Sequence, residues 1–337
     1  MHLLSIESSC DETAAAVVDE SMQVRANIIY SQSDHAAFGG VVPELASRAH
    51  MRSMVFTVRE ALREADVTWE DLSGIAVTQG PGLVGSLIVG VSVAKGIAMA
   101  TGKPLIGVHH MEGHIFSNLI AQKIEPPFLT LLVSGGHTEL IYVEELGSYK
   151  LIGRTRDDAA GEAFDKVAKL LGLLPANEFV AGGRIVSEIA QKGDPDSISF
   201  PRALVGHPDF SFSGLKTSVL NYVRGLTEED RHSQLSDICA SFQSAVVDSL
   251  VSKTVQGLLQ YGKTINAVCV AGGVAANQSL RESLRREVEG YGVPFFCPDF
   301  EYCTDNAAMI GAVGVHRFSK GLVDDISLDA SPRLKLC

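Results

Sequence analysis

An α/β fold built from two related lobes is what this sequence predicts, on three observations. Apolar strand-like runs alternate with helical patterns along the chain. A strand–turn–strand pattern opens the chain and returns about 126 residues later, from Leu3 to Leu129, the signature of an internal duplication. The length of 337 residues fits two domains at about 150 residues each.

The elements follow in order. Leu3-Leu4-Ser5-Ile6-Glu7, a small polar turn and Thr13-Ala14-Ala15-Ala16-Val17-Val18 read as strand, turn, strand. A helix is expected over 43–65: Pro43 suits its first turn, and Leu45, Val55, Val58 and Leu62 give it an apolar face. A strand at 74–78, a glycine-rich helix after Pro81 and a strand at 104–108 come next. Pro126-Pro127 marks a boundary before the second hairpin, 129–133 and 138–143. The expected lobes are therefore 1–125, joined by 320–337, and 126–319. Asp157-Asp158 is expected to cap a helix reaching about Leu171. Helices near 236–260 and 277–289 flank a strand at 265–270, and a strand at 293–297 precedes a final long helix from about Asn306.

Composition narrows the function. At 46% hydrophobic and 20% charged residues the chain has enough apolar side chains for real cores. A net charge of −12 argues against a stand-alone nucleic-acid binder. The six cysteines are scattered without a C-x-x-C pair, so reduced thiols in a cytoplasmic protein are expected. Glu7 and Asp11 interrupt the first apolar run, which therefore does not read as a signal peptide. The uncharged stretch 81–94 is shorter than the roughly 18–20 residues of a membrane span and is broken by Gly82, Gly85 and Gly90, so it reads as a buried helix.

The chemistry concentrates in a few motifs. His109-His110-Met111-Glu112-Gly113-His114 follows a strand and opens a helix. His110 and His114, at i and i+4, share a helix face and can grip one metal ion. Asp305, in Thr304-Asp305-Asn306 at the start of the last helix, is the candidate third ligand; its plain alternative is a helix cap. Glu112 turns about 200° from His110, off the metal face, which disfavours an H-E-x-x-H-type metallopeptidase. The turn Ser8-Ser9-Cys10-Asp11-Glu12 and the turn Ser134-Gly135-Gly136-His137 are candidate phosphate nests or plain hairpin turns. Gly272 and Gly273, in Ala271-Gly272-Gly273-Val274-Ala275-Ala276-Asn277, let a ligand approach a helix N-terminus, or simply make a tight turn. Glu162 and Asp165 share a helix face that could hold a ligand, with Glu162–Lys166 pairing as the solvated alternative. Arg48, Arg52, Arg59 and Arg63 read as a solvated helix side rather than a phosphate contact. Phe210-Ser211-Phe212-Ser213-Gly214-Leu215-Lys216 is a candidate binding loop.

Together these motifs resemble one family over nearly the whole chain. Ile6-Glu7-Ser8-Ser9-Cys10-Asp11-Glu12-Thr13, Gly39-Gly40-Val41-Val42-Pro43-Glu44-Leu45-Ala46-Ser47-Arg48, the histidine run, Val133-Ser134-Gly135-Gly136-His137-Thr138, Ala159-Ala160-Gly161-Glu162-Ala163-Phe164-Asp165-Lys166, the Phe210 motif, Ala271-Gly272-Gly273-Val274-Ala275-Ala276-Asn277 and Cys303-Thr304-Asp305-Asn306 stand in family order. The chain is similar to the TsaD family, bacterial tRNA N6-adenosine threonylcarbamoyltransferases once described as O-sialoglycoprotein endopeptidases. The resemblance implies an actin/Hsp70/sugar-kinase-like (ASKHA) fold, two α/β lobes around a central cleft. It implies transfer of a threonylcarbamoyl group from threonylcarbamoyl-AMP to N6 of the adenosine 3′ to the anticodon, in tRNAs reading ANN codons. One divalent metal per subunit (iron, zinc or magnesium) is expected on His110, His114 and Asp305. Leu132, Val133, Ser134, Gly135, Gly136, Asp165, Gly183 and Asn277 are the implied substrate-binding set, with ATP or ADP as further candidate occupants of the same cleft. The implied partners are tRNA, TsaB-like and TsaE-like proteins, and a TsaC-like synthase that supplies the adenylate, without a membrane. The alternatives are a metallopeptidase and a non-catalytic ATP-binding scaffold subunit. One departure stands out: the family's Pro-Gly-Gly-Pro is replaced by a longer segment, Leu174-Pro175-Ala176-Asn177-Glu178-Phe179-Val180-Ala181, before Gly182-Gly183.

Overall fold

The computed structural model describes residues 1–32, 35, 40–175 and 181–337. Gly39 of the family motif and residues 176–180 of the divergent loop lie outside them. The chain forms two compact units, Met1–Lys123 with Pro298–Cys337, and Ile124–Cys297.

The first unit holds β1 (His2–Glu7), β2 (Glu12–Asp19), β3 (Val24–Ser31), α1 (Pro43–Glu64), β4 (Leu72–Gly80), α2 (Val84–Thr101), β5 (Leu105–His109) and α3 (His110–Ser117). Its five-stranded sheet has the order β3-β2-β1-β4-β5, antiparallel across the opening hairpin and parallel from β1 onward. Strand alternation divides β1 between two buried faces. Leu4 and Ile6 join Met54, Val58, Val91 and Ala94 of α1 and α2 in one core.

The second unit repeats the scheme with β6 (Phe128–Val133), β7 (Thr138–Glu145), β8 (Ser148–Arg154), α4 (Ala160–Leu170), α5 (Gly182–Ala190), α6 (Ser213–Arg224), α7 (Glu228–Ser233), α8 (Leu235–Tyr261), β9 (Ala267–Ala271), α9 (Gln278–Gly290) and β10 (Phe295–Phe296). Its sheet order, β10-β9-β6-β7-β8, is the first unit's order read from the other edge. The duplicated hairpins thus open two sheets of the same topology. The edge strands β3 and β8 were not among the expected elements. Their exposed and buried positions mix without clean alternation, so no period marks them.

The chain returns to the first unit at Pro298 rather than at 320, because α10 (Ala307–Ser319) covers the other face of the first sheet. Small residues permit this approach. A Cβ on Gly311 would lie 2.5 Å from Val18 Cγ2, and one on Gly314 would lie 2.7 Å from Ala76 Cβ. α2 is long and apolar enough to cross a membrane, yet its Leu87, Val91, Ala94 and Ala98 belong to the core.

Two local expectations change. Val55 is exposed, with Met51 and Phe56 beside it, whereas Met54, Val58 and Ala61 carry the buried face of α1. At about 100° per residue Val55 lies one step round the helix from Met54, at the edge of the buried stripe. Arg48 and Arg63 pair with Glu44 and Glu60 at the surface, as a solvated face would.

The second change concerns Asp157 and Asp158. Ala159, not either aspartate, is the N-cap of α4. Asp157 instead reaches α6: its carboxylate accepts from Phe212 N (2.8 Å), Ser213 N (3.2 Å), Ser211 Oγ and Ser213 Oγ. The expected binding loop therefore becomes helix from Ser213 onward. Asp158 pairs with Lys166 (2.7 Å) and Lys216 (3.0 Å), tying α4 to α6. Partial burial works against the Asp157 carboxylate, but these donors outweigh it and hold its pKa below the usual range. A depressed folded pKa adds stability above the unfolded value, and that stability is lost as pH falls through the folded one. Asp157→Ala is expected to cost about 1–2 kcal/mol at neutral pH. In denaturant melts the gap from the parent chain should close as the medium becomes acidic.

Candidate functional site

The first unit gathers an ion site at the C-terminal ends of β1 and β5. α3 is eight residues long and wholly buried. His109 ends β5 and caps α3, its ring accepting from Met111 N at 3.1 Å. One turn of helix then stacks His110 and His114, whose ring centroids lie 4.8 Å apart at 83°. Asp305 enters from the turn before α10. Asn306 takes the capping role, accepting from Met309 N at 3.0 Å, so Asp305 is not the cap. Asp305 Oδ1 lies 3.2 Å from His114 Nε2 and 3.5 Å from His110 Nε2. The ligand atoms of the three residues all fall within 4.8 Å of one another.

This donor set suits a divalent metal: two imidazole nitrogens and one carboxylate oxygen converge and leave further positions open. Among the described residues neither ring nitrogen of buried His114 has an assigned hydrogen-bond partner, and Nε2 lies 3.2 Å from Asp305 Oδ1. A buried nitrogen without a partner costs about 1–3 kcal/mol, and a metal bond would remove that cost. Glu112, although buried on α3, is not among the converging ligands.

Glu7, at the end of β1, completes the site from behind. Its carboxylate lies 3.0 Å from His110 Nδ1 and accepts from Thr78 Oγ1 (2.6 Å) and Ser9 N. A proton held on Nδ1 by Glu7 leaves Nε2 as the lone pair facing the centre. Ser9 Oγ also approaches Nδ1, at 3.2 Å. Burial works against charge throughout the cluster, but ion pairing dominates. Without an ion, Asp305 and Glu7 raise the His110 pKa well above its ordinary value, while His110 lowers those of Glu7 and Asp305. Glu7→Gln is expected to weaken metal binding about 10–100-fold with little change in melting temperature, as competition against a chromophoric chelator would read.

The turn 8–12 does not form an anion nest by itself. Ser9 N donates to Glu7, Ser8 Oγ donates to Ser86 O at 2.9 Å, and Asp11 and Glu12 add carboxylates. Burial, joined by repulsion from Asp305, Asp11 and Glu7, pushes the Glu12 carboxyl up to about 9. Such a turn favours a cation, or a phosphate that arrives with one.

The implied substrate set lies in the second unit. Leu132 and Val133 have fully buried side chains, so only their backbone can meet a ligand. At the end of β6 the chain turns through Ser134, Gly135 and Gly136, and a Cβ on either glycine would meet nothing within 4 Å. Gly161 of α4 packs on this turn, its N–H donating to Ser134 O at 3.2 Å. The turn at Gly272-Gly273 is adjacent, because β6 and β9 pair with Leu132 opposite Ala271. Asp165 accepts from Gly182 N at 2.8 Å and so caps α5, which carries Gly183. Burial raises the Asp165 pKa against the lowering effect of the Gly182 and Gly183 amides. Glu162 instead pairs with Lys166 at 2.8 Å, the solvated alternative. Asn277 caps α9 and donates to Ser187 Oγ (2.7 Å) and Gln243 Oε1 (2.8 Å).

Comparison with known proteins bears directly on this geometry. The family model for TsaD, tRNA N6-adenosine threonylcarbamoyltransferase, matches residues 23–312. The chain belongs to the TsaD family. It is 49% identical over 340 aligned residues to the tRNA N6-adenosine threonylcarbamoyltransferase of Clostridium botulinum (strain Kyoto / Type A2), covering 100% of this chain and 98% of that one. The fold is shared with Acidaminococcus fermentans (R)-2-hydroxyglutaryl-CoA dehydratase component A, with a TM-score of 0.54 at 16% identity, covering 95% of this chain and 98% of that one. It is also shared with T. kodakarensis HypF, with a TM-score of 0.63 at 15% identity over 97% of this chain and 49% of that one. These likenesses show that this TsaD-family chain has the actin/Hsp70/sugar-kinase-like fold.

Sequence reasoning missed four residues that shape the site. Glu7 was visible as a carboxylate ending an apolar strand, and its full burial is the sign that it serves another group. His109 was visible only as the first residue of the histidine run, whereas its role is to cap α3. Ser187 and Gln243, which hold Asn277, carry no local signal, because they meet it from 90 and 34 residues away.

Proposed function

We propose that this chain transfers the threonylcarbamoyl group of threonylcarbamoyl-AMP to N6 of the adenosine 3′ to the anticodon in tRNAs that read ANN codons. Full-length likeness to proteins named for this activity is the observation that carries the reading. The N6 amine forms a C–N bond to the carbamoyl carbon as the C–O bond to phosphate breaks. AMP leaves with the electron pair, and the amine proton passes to solvent or to the departing phosphate. The leaving group is good, so no protein nucleophile is needed, and holding the reactants in line is the main task.

The residues fit that task. The turn Ser134-Gly135-Gly136 that follows Leu132 and Val133, with the Gly272-Gly273 turn beside it, leaves room for the adenylate against the backbone, since a Cβ on Gly135, Gly136 or Gly273 would meet nothing within 4 Å. Asp165, Gly183 and Asn277 position the rest of it. His110, His114 and Asp305 would hold one divalent metal (iron, zinc or magnesium), which when bound supplies positive charge against phosphate and threonyl oxygens. Glu7 keeps His110 in its binding tautomer. The working partners are tRNA, TsaB-like and TsaE-like proteins, and a TsaC-like synthase as source of the adenylate, all in the cytoplasm. The acidic chain suits a tRNA-binding surface completed by a partner.

Depleting the protein and digesting total tRNA to nucleosides tests this reading. Threonylcarbamoyladenosine is expected to fall while other modified nucleosides stay level; an unchanged level would overturn the assignment.

A further inference from the structure

Residues 324–334 run along the outer side of β5, the edge strand of the first sheet, and fasten to it at successive points. Asp324 N donates to Leu105 O at 2.7 Å, and Asp324 Oδ2 accepts from Gly107 N at 2.8 Å. Leu328 rests on Gly107, where a Cβ would stand 2.6 Å from its Cδ1. Gln79 Nε2 donates to Asp329 O (3.1 Å), Ser331 N to Gln79 O (2.8 Å) and Gly82 N to Pro332 O (3.3 Å). Finally, Leu334 O lies 3.2 Å from His109 Nε2.

Those contacts settle the state of His109. Leu334 O can only accept, so Nε2 carries the proton. Met111 N can only donate, so Nδ1 is the lone pair that caps α3. The ring is nearly buried and sits one residue before His110. α3 has only eight residues, so its first turn sets the direction of both His110 and His114. The same segment has a second arm. It closes on Gly80 and Gly82, and Gly82 packs on the Ser9 backbone so closely that a Cβ would stand 2.5 Å from Ser9 O. Ser9 Oγ in turn faces His110.

We propose that residues 324–334 are a strap that sets the metal ligands through His109, which is a positioning residue for His110 and His114. This rests on the metal reading of that trio. The plain alternative is a core histidine that supports folding alone, and metal affinity separates the two.

The test is Zn²⁺ affinity of the full chain, read by competition with a chromophoric chelator, with near-UV circular dichroism to confirm folding. His109→Ala is expected to weaken Zn²⁺ binding about 10–100-fold. His109→Asn, whose side-chain oxygen can still cap α3, should recover part of the loss. A chain ended at Arg333 keeps His109 but loses the Leu334 carbonyl, and should also bind more weakly. Combined with His109→Ala, that truncation should add little, because the two act in series. Wild-type affinity in folded His109→Ala would overturn the proposal, as would full multiplication of the two losses. Should His109→Ala not fold, His109→Asn and the truncation carry the comparison, and wild-type affinity in both would overturn it. Failure of the unaltered chain to bind Zn²⁺ would instead sink the metal reading, and this proposal with it.

Discussion

His114→Leu is expected to remove bound metal and to cut threonylcarbamoyl transfer by about 10²–10³-fold, while leaving the metal-free protein no less stable than the parent. The first part follows from ligand count: only His110 and Asp305 remain of the three converging groups. A metal that offsets charge on the reacting oxygens is worth several kcal/mol, which sets the size of the rate loss. The second part follows from burial. His114 is almost fully enclosed, and among the described residues neither ring nitrogen has an assigned hydrogen-bond partner. A leucine of similar volume removes two unsatisfied polar atoms and keeps the packing. Metal content by mass spectrometry, transfer to a tRNA transcript and melting of the chelator-treated protein make the check. Full transfer by a metal-free variant would contradict the assigned role.

Gly272→Ala is expected to destabilise the second unit by about 3 kcal/mol or more, a drop of roughly 5–10 °C in Tm. Gly272 sits at φ +89° and ψ 169°, a region open essentially to glycine alone. Its Cβ would also stand 2.5 Å from Val133 O, a backbone atom that cannot swing aside. Gly273→Ala is the matched control. It has no positive φ, and a Cβ there meets nothing within 4 Å, so the melt should stay at the parent value. If the adenylate lies against this turn, the same methyl group intrudes on it, and KM should rise without loss of stability. Equal melting of the two variants would contradict the first expectation, and unchanged KM in Gly273→Ala would remove this turn from the binding surface.

Much of this was legible because it is local. Apolar runs of five or six residues marked β1, β2, β6 and β7, and the repeat of their pattern marked two related sheets. The i, i+4 histidines were legible because helix geometry alone brings them together. Asp305 was reachable only through the family motif and as the residue before a helix. What stayed hidden depends on chain brought from far away. Asp157 reads as a cap for the helix three residues on, yet it serves a helix more than fifty residues later. Residues 298–319 read as part of the second lobe, yet the open face of the first sheet draws them back. Val55 reads as core by hydrophobicity and is exposed beside Met51 and Phe56.

The mirrored strand orders have a chemical consequence. By register, Glu7 opposite Ala14 in the first hairpin corresponds to Val133 opposite Thr138 in the second, so Ser8 corresponds to Ser134 and Ser9 to Gly135. The two turns are copies of one structural device put to different uses. In the first, a single carboxylate at the strand's last position consumes the turn's own amide and orients a histidine, which leaves a seat for positive charge. In the second, an isopropyl group stands in that place, Ser134 N closes the turn on His137 O at 2.8 Å, and a Cβ on Gly135 or Gly136 would meet nothing within 4 Å. One side chain at a duplicated position thus decides whether the turn's amide serves a charged partner or closes the turn on itself.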